Sequence, residues 1–436
     1  MHIGKRNGAE RMSIIKSQVL VDHERGTVDR EIFHNEDIYK RELDAIFRKT
    51  WLLIGHESQI PKSGDFFLSR MGEDAIVVCR DQDSKPRAFL NTCRHKGMKV
   101  CRYDEGNTTR FHCPYHGWAY DLKGRLRTVP NQAECYPTTF NRDDWGLIEV
   151  AQITSFRGMI WATWDANAPS LDAYLEEARD PLWYAVGPWD GGDGTVEVLG
   201  GFQKWIVPCN WKFVSENAGG DPLHNVSHAS TDLAKIGPRE GVGRRDPFGE
   251  LFLSYTSHGH GLIYEKIDAS KARNHYQASK VTAEYFEDCW RRRYDRLKDR
   301  ASAPLVIGNI FPNSAFLVQQ PRSLLMVHPH GPGKCELWRN YFVDKDAPAE
   351  AKEFLRRYYL SYAGPGGMTE QDDMENWHSA SVGSALHGAK KVAFAYMSGR
   401  GTHHDDDKIA GPVSDFWLTE QNNRQFYRRW AELIGE

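Results

Sequence analysis

Asn91-Thr-Cys-Arg-His-Lys-Gly97 and Phe111-His-Cys-Pro-Tyr-His-Gly-Trp118 decide how this 436-residue chain is read. They set Cys93, His95, Cys113 and His116 in the pattern Cys-x-His, seventeen residues, Cys-x-x-His. Each pair is too tight for a chance scatter of residue types, and Gly97 and Gly117 let the backbone approach closely. Two such loops can close around one metal centre.

Two metals compete for this pattern. Zinc would take two thiolates and two imidazoles tetrahedrally, but its sites more usually run Cys-x2-4-Cys followed by His-x3-5-His. A mixed Cys/His pair on each loop suits a Rieske [2Fe-2S] cluster, in which two cysteines hold one iron and two histidines the other. Neutral imidazoles lower the negative charge on such a cluster and raise its potential, so the segment accepts and passes single electrons.

A destination for those electrons is offered by Cys209-Asn-Trp-Lys-Phe-Val-Ser-Glu-Asn-Ala-Gly-Gly-Asp-Pro-Leu-His-Asn-Val-Ser-His228. His224 and His228, at i and i+4, share one face if helical and can bind one ion. Taken alone, such a pair is more often an ordinary helix face; an electron-transfer centre upstream changes its weight. A carboxylate would complete the facial triad of a non-haem Fe(II) oxygenase. The best candidate lies downstream, in Gly364-Pro-Gly-Gly-Met-Thr-Glu-Gln-Asp-Asp-Met-Glu-Asn-Trp377.

With these residues in view, the chain resembles the large (alpha) subunit of Rieske non-haem iron ring-hydroxylating dioxygenases, the biphenyl, naphthalene and phenylpropionate group. The resemblance covers nearly all of it, from Trp51-Leu-Leu-Ile-Gly-His-Glu-Ser-Gln-Ile-Pro61 and Gly64-Asp-Phe-Phe67, through the cluster loops and Asn210-Trp-Lys212, to Glu370-Gln-Asp-Asp-Met-Glu-Asn-Trp377. It implies that His224, His228 and Asp373 are the mononuclear iron ligands and that Asn217 lies near the iron. Asp221 would bridge His224 of one subunit to His116 of a neighbour. It further implies NADH-driven cis-dihydroxylation of an aromatic ring, both oxygen atoms entering the product. A reductase and usually a ferredoxin would deliver the electrons, and three copies would assemble with three small beta subunits (α3β3). Two departures stand out: three residues separate the iron histidines where relatives have four or five, and Lys96 follows the first cluster histidine where relatives have Arg. Lys keeps the charge but not the planar fork.

The resemblance and the element pattern agree on an α+β fold: an all-β Rieske domain, then a catalytic domain with an antiparallel β-sheet flanked by helices. The expected division is 1–48 as an N-terminal part of the catalytic domain, 49–166 as the Rieske domain and 167–436 as the catalytic mononuclear-iron domain. A helix is predicted over about 36–49 with Asn35 as N-cap, carrying Tyr39, Leu43, Ile46 and Phe47 on one face. Short strands such as 75–78 and 159–162 follow, broken by turns such as Leu122-Lys-Gly-Arg125. Helical patterns then recur at about 171–179, 279–299, 349–362 and 419–434, with strands at 251–255, 315–318 and 336–343 between them. Long strands without regular βαβ alternation predict the antiparallel sheet.

The formal charge of −3 gives no basic footprint for nucleic acid, and no apolar window is long enough to span a membrane. Met1-His-Ile-Gly-Lys-Arg6 lacks a following apolar stretch, which argues against secretion and for the cytoplasm. Of eight cysteines, two belong to the cluster; the others lack paired spacing, as in a reducing compartment, and Cys101 reads as a buried thiol. His403-His-Asp-Asp-Asp-Lys408 reads as a solvated loop, His328-Pro-His330 as a turn, Arg291-Arg-Arg293 as an exposed helix face. His258 and His260 border a core strand and are candidates for lining a pocket, not for binding iron.

Two other functions share parts of the pattern: a Rieske monooxygenase performing demethylation or single hydroxylation, and a simple electron carrier. The carrier leaves the second ligand set and the last 270 residues without purpose. Ala218, Gly219 and Gly220 before Asp221, together with Leu223 and Ala363, suggest a roomy substrate site and a polycyclic or substituted ring. A carboxylated aromatic of the phthalate or phenylpropionate kind is the alternative substrate class.

Overall fold

Alternate residues of two long strands enter opposite cores. Leu324 and Met326 of Ser323–Pro329 join one apolar cluster and Leu325 and Val327 the other; Cys335–Asp344 divides likewise, with Cys335 and Leu337 against Trp338 and Phe342. Side chains along a strand alternate faces, so this sheet is covered on both sides. The computed structural model describes residues 19–236, 250–318, 322–390, 392–406, 409 and 411–436. The sheet has ten strands, ordered Val196–Val198, Cys335–Asp344, Ser323–Pro329, Ser314–Leu317, Leu305–Ile310, Gly261–Lys266, Glu250–Tyr255, Val413–Ser414 and His403–His404, with Gln203–Val207 also paired to Cys335–Asp344. Every pairing in it is antiparallel, as expected.

The helix Trp211–Gly220 lies on one face of this sheet. Asn210 caps it, its side-chain oxygen accepting the Lys212 amide at 3.0 Å. A Cβ on Gly219 would stand 2.8 Å from Asn309 Oδ1, so only glycine allows this approach. The smallness of residues 218–220, read above as room for substrate, thus has a packing cause, and Ala218 sits in the main core. Glu42 fastens the helix from outside: Oε1 accepts Lys212 Nζ at 2.5 Å and Trp430 Nε1 at 2.8 Å, and Oε2 accepts Trp211 Nε1 at 2.8 Å. Lys212 and Glu42 are fully buried, so each charge depends on the other for its counter-charge.

The segment around the cluster loops is built from three antiparallel sheets: Pro86–Leu90, Asp74–Arg80, Asp65–Met71 and Glu105–Asn107; Leu126–Thr128, Ala119–Asp121 and Arg110–His112; Gln152–Phe156, Met159–Thr163 and Leu52–His56. The last joins this segment to the rest, since Leu52 and Ile160 enter the same core as Trp211 while Leu53 and Trp161 pack with Leu262 and Trp338. No helix among the described residues is long and apolar enough to cross a membrane.

Several expectations need correction. The predicted 36–49 helix is α-helical only over Glu36–Glu42, after Asn35 as its cap, and widens to a π turn over Leu43–Phe47 that buries both Ile46 and Phe47. The 171–179 pattern breaks into Leu171–Leu175, a 3-10 turn and Arg179–Val186. His328 is not in a turn: it is a fully buried strand residue, packed on Trp338 with ring centroids 4.7 Å apart, and burial holds its pKa well below the usual imidazole value. Pro329 can end that strand because its missing N–H is not needed there. Arg291 is exposed, but Arg293 lies on the buried face of Lys280–Leu297. His403 and His404 form an exposed edge strand, with His404 2.7 Å from Asp415; Asp407 and Lys408 lie outside the described residues.

Candidate metal centres

The two cluster loops fold alike. Cys93 N–H donates to Met98 O (2.8 Å) and Gly97 N–H to Cys93 O (2.9 Å); in the second loop Cys113 N–H donates to Trp118 O (2.8 Å) and Gly117 N–H to Cys113 O (3.0 Å). Each turn requires a left-handed residue, φ +73° at Gly97 and +72° at Gly117, which is why a glycine stands four residues after each cysteine. The loops bring the His95 and His116 rings to 4.6 Å, with His95 stacked on Trp118 at 5.0 Å. Both Nδ1 atoms are buried without a hydrogen-bond partner, as electron-pair donors awaiting a metal would be. Tyr120 Oη accepts the Arg94 amide at 3.1 Å, which leaves its proton for Cys93 Sγ, 3.3 Å away. Among the described residues these four do not form a group with donor atoms within 4.8 Å of one another. A tetrahedral zinc would draw its ligand atoms to about 4 Å or less, so the spacing fits a two-iron cluster better.

The second site is held tighter. Among the described residues, one group of three possible ligands converges within 4.8 Å: His224, His228 and Asp373. His224 and His228 sit on the 3-10 turn Pro222–His228 and Asp373 on the helix Met368–Ser384. Asp373 Oδ1 lies 3.6 Å from His224 Nε2 and 3.3 Å from His228 Nε2. Each imidazole is oriented from behind. His224 Nδ1 contacts the Asp221 backbone carbonyl, and His228 Nδ1 lies 3.3 Å from Asp372 Oδ2, which also accepts the Ser230 hydroxyl at 2.9 Å. With both Nδ1 atoms donating, both Nε2 lone pairs face the Asp373 carboxylate, an arrangement suited to a divalent cation.

Asp221 meets His224 through its main chain. Its carboxylate accepts the His224 amide at 3.3 Å and stays 3.9 Å from Nδ1, with 31% of the side chain exposed. Asn217 is half-buried, and its carbonyl accepts the Asp221 amide at 3.3 Å. Leu223 is half-buried and Ala363 buried, its carbonyl accepting Tyr341 Oη at 2.8 Å. His258 pairs with Glu176 at 2.8 Å, and buried His260 bridges Tyr174 O and the Phe311 amide, so neither is near the ligand group. Cys101 is buried beside Tyr103 O.

Sequence reasoning missed three supports. Asp372 was visible only as the other member of an Asp-Asp pair, although successive helical residues point about 100° apart and can serve both sides of one imidazole. Tyr120 gave no signal. Arg339 pairs with Glu370 at 2.7 Å, both about 95% buried, and so pins the first turn of the helix that carries Asp373. Glu216 is buried under Tyr396 Oη (2.9 Å); burial, opposed by that hydrogen bond and assisted by Asp221, pushes its carboxyl up to about 8.

Comparison with known proteins agrees with this layout. The Rieske [2Fe-2S] domain family matches residues 50–151, and the ring hydroxylating alpha subunit (catalytic domain) family matches 174–436. The biphenyl 2,3-dioxygenase alpha subunit of Rhodococcus jostii (strain RHA1) is 36% identical over 95% of this chain and 90% of its own. A benzene 1,2-dioxygenase alpha subunit of Pseudomonas putida is 35% identical over 96% and 93%. A naphthalene 1,2-dioxygenase structure with indole in its active site superposes with TM-score 0.87 at 28% identity, covering 97% of this chain and 95% of that one. A quaternary ammonium Rieske monooxygenase shares the fold at TM-score 0.68 and 15% identity. The chain belongs to the Rieske ring-hydroxylating alpha subunits, which carry a [2Fe-2S] cluster and a mononuclear iron.

Proposed function

We propose that this chain is the terminal oxygenase subunit for cis-dihydroxylation of a neutral aromatic hydrocarbon, a substituted or two-ring compound. Cys93, His95, Cys113 and His116 hold the cluster; His224, His228 and Asp373 hold the iron. The observation that carries this reading is the convergence of two Nε2 atoms on one Asp373 oxygen, each imidazole fixed through its Nδ1. Two neutral imidazoles and one carboxylate would hold a divalent iron while leaving it a net positive charge. The bound iron would supply the dioxygen chemistry and the cluster the single electrons.

The chain's own residues do the rest. The Asp221 carbonyl and Asp372 hold both imidazoles as Nδ1–H tautomers, so neither ring can turn away from the metal. Tyr120 donates toward the Cys93 sulfur and stabilises its thiolate. The partly exposed Asp221 carboxylate can accept the outer imidazole proton of His116 from a neighbouring subunit, joining the two centres across an interface. Tyr115, 61% exposed and packed on His116 at 3.8 Å, and Trp145, 37% exposed, supply apolar surface for that contact. The assembly we propose is α3β3 in the cytoplasm, served by a ferredoxin and a reductase. The preference for a neutral ring is supported by the relatives' names, biphenyl, benzene and naphthalene dioxygenases.

Two measurements test this. Purified protein should carry about three irons and two inorganic sulfides per chain; zinc without sulfide would remove the reading. With ferredoxin and reductase supplied, labelled dioxygen should place two atoms in a biphenyl or naphthalene product. Incorporation of one atom would favour a monooxygenase, and faster turnover of benzoate or phthalate would reassign the substrate class.

A further inference from the structure

A cavity lies apart from the proposed metal ligands. Helices Arg179–Val186 and Lys280–Leu297 and strands Gly261–Lys266 and Leu305–Ile310 border a half-open cavity of about 790 Å³, and none of the proposed metal-ligand residues lines it. Such a volume is that of an ordinary small-molecule pocket.

Arg293 lines this cavity and is 8% exposed, yet no described residue forms a hydrogen bond or ion pair with it. The two acids that could serve it are taken. Asp190 is held by Arg292 (3.0 Å) and Arg296 (2.8 Å), and Asp344 by Arg322 (3.0 Å) and Tyr285 (2.7 Å). Arg322, a second lining cation, is 2% exposed. Burial and then Arg322 press the Arg293 pKa down to about 10, against an opposing pull from Tyr184, Asp190 and Asp344 that does not make up for the burial. The Tyr264 hydroxyl, also in the lining, is buried without a partner. Glu176 of the wall is engaged by Ser257 and by His258 at 2.8 Å. The exposed rim carries both signs, Glu177, Asp180 and Asp299 with Arg179 and Arg300, so the unmatched positive charge is confined to the interior. Trp290, Leu297 and Leu305 add apolar wall.

A largely buried guanidinium with no partner among the described residues is destabilising unless something pairs with it. We propose that this cavity binds a small apolar carboxylate, with Arg293 taking its anionic group and the Trp290, Leu297 and Leu305 wall its hydrocarbon part. The ligand is held apart from the iron and is not the molecule oxygenated.

Benzoate is the probe, titrated into the holoenzyme by calorimetry and thermal shift. Saturable binding is expected, with benzyl alcohol failing to bind. Arg293→Met should weaken binding at least about tenfold and raise the melting temperature, since an unpaired buried charge is gone; Arg293→Lys should keep part of the affinity. Asp373→Ala should bind benzoate as well as wild type. Retained affinity in Arg293→Met, loss of affinity in Asp373→Ala, or no saturation by about 10 mM would each overturn the proposal. So would release of a co-purified subunit from Arg293→Met without benzoate binding to wild type, because the anion would then be a protein side chain. None of these outcomes bears on iron content, so failure here leaves the oxygenase reading standing.

Discussion

Replacing Asp372 by alanine removes no proposed ligand, yet it should weaken the iron site measurably. The carboxylate receives His228 Nδ1–H at 3.3 Å and the Ser230 hydroxyl at 2.9 Å. His228 has only 3% of its side chain exposed, so water cannot fully replace the lost acceptor. A hydrogen bond to a charged group contributes about 1.5–3 kcal/mol, and outer partners of ligating histidines commonly change metal affinity about 10- to 100-fold. The 3.3 Å distance lies at the long end, which places the effect at the bottom of that range: about tenfold, or ~1.4 kcal/mol. Asp373→Ala removes one of three donors and should abolish stoichiometric binding. The assay is a chelator-buffered Fe(II) titration of the apo mononuclear site, with the Rieske absorbance counting folded chains. Equal losses in the two variants, or complete loss in Asp372→Ala with Asp373→Ala still loading, would refute the division of roles.

Four further outcomes can be checked. Glu370→Gln strands the buried Arg339 charge and should cost about 3–5 kcal/mol in chemical denaturation; a change below about 1 kcal/mol would mean the pair does not brace the ligand helix. Glu216 titrates near 4.5 when unfolded and about 8 when folded, so the folded state binds its proton more tightly and stability falls as pH rises through that window. Glu216→Gln should remove a pH-dependent loss of order 5 kcal/mol, and parallel stability profiles would contradict this. Asp221→Asn should keep iron and cluster, because the His224 ring rests on a backbone carbonyl, yet turn over very slowly. Mixed trimers of His116→Ala and His224→Ala subunits should regain part of the activity, and verified hybrids without it would end the inter-subunit reading.

The cluster loops were legible because everything they need is local: ligand spacing, and a glycine at each left-handed turn. The iron ligands were half legible. The histidines announced themselves by spacing, but the sequence could not bring residue 373 to them without the family likeness. What escaped were partnerships across long chain separations. Arg293 sat in an apparently solvated triplet, and only the packing of its helix turns it inward. His328 carried a turn's composition, but the strand runs on through Pro329 before turning. The small residues at 218–220 are ambiguous in the sequence, because a helix pressed on a sheet demands the same residues as an open pocket.

The Glu42 knot sets an order on biosynthesis. The proposed cluster ligands all lie between Cys93 and His116, inside sheets that end by Thr163, so that centre can form early as the chain leaves the ribosome. The helix Trp211–Gly220, which leads into the turn with His224 and His228, cannot settle so soon. Its Lys212 and Trp211 lean on a carboxylate that is also bound to Trp430, 388 residues from Glu42 in the chain. Until the final helix emerges, Glu42 and Lys212 have no closed environment, and the ligands downstream of them lack a fixed base. A chain stopped short of Trp430 would therefore emerge able to hold electrons and unable to spend them.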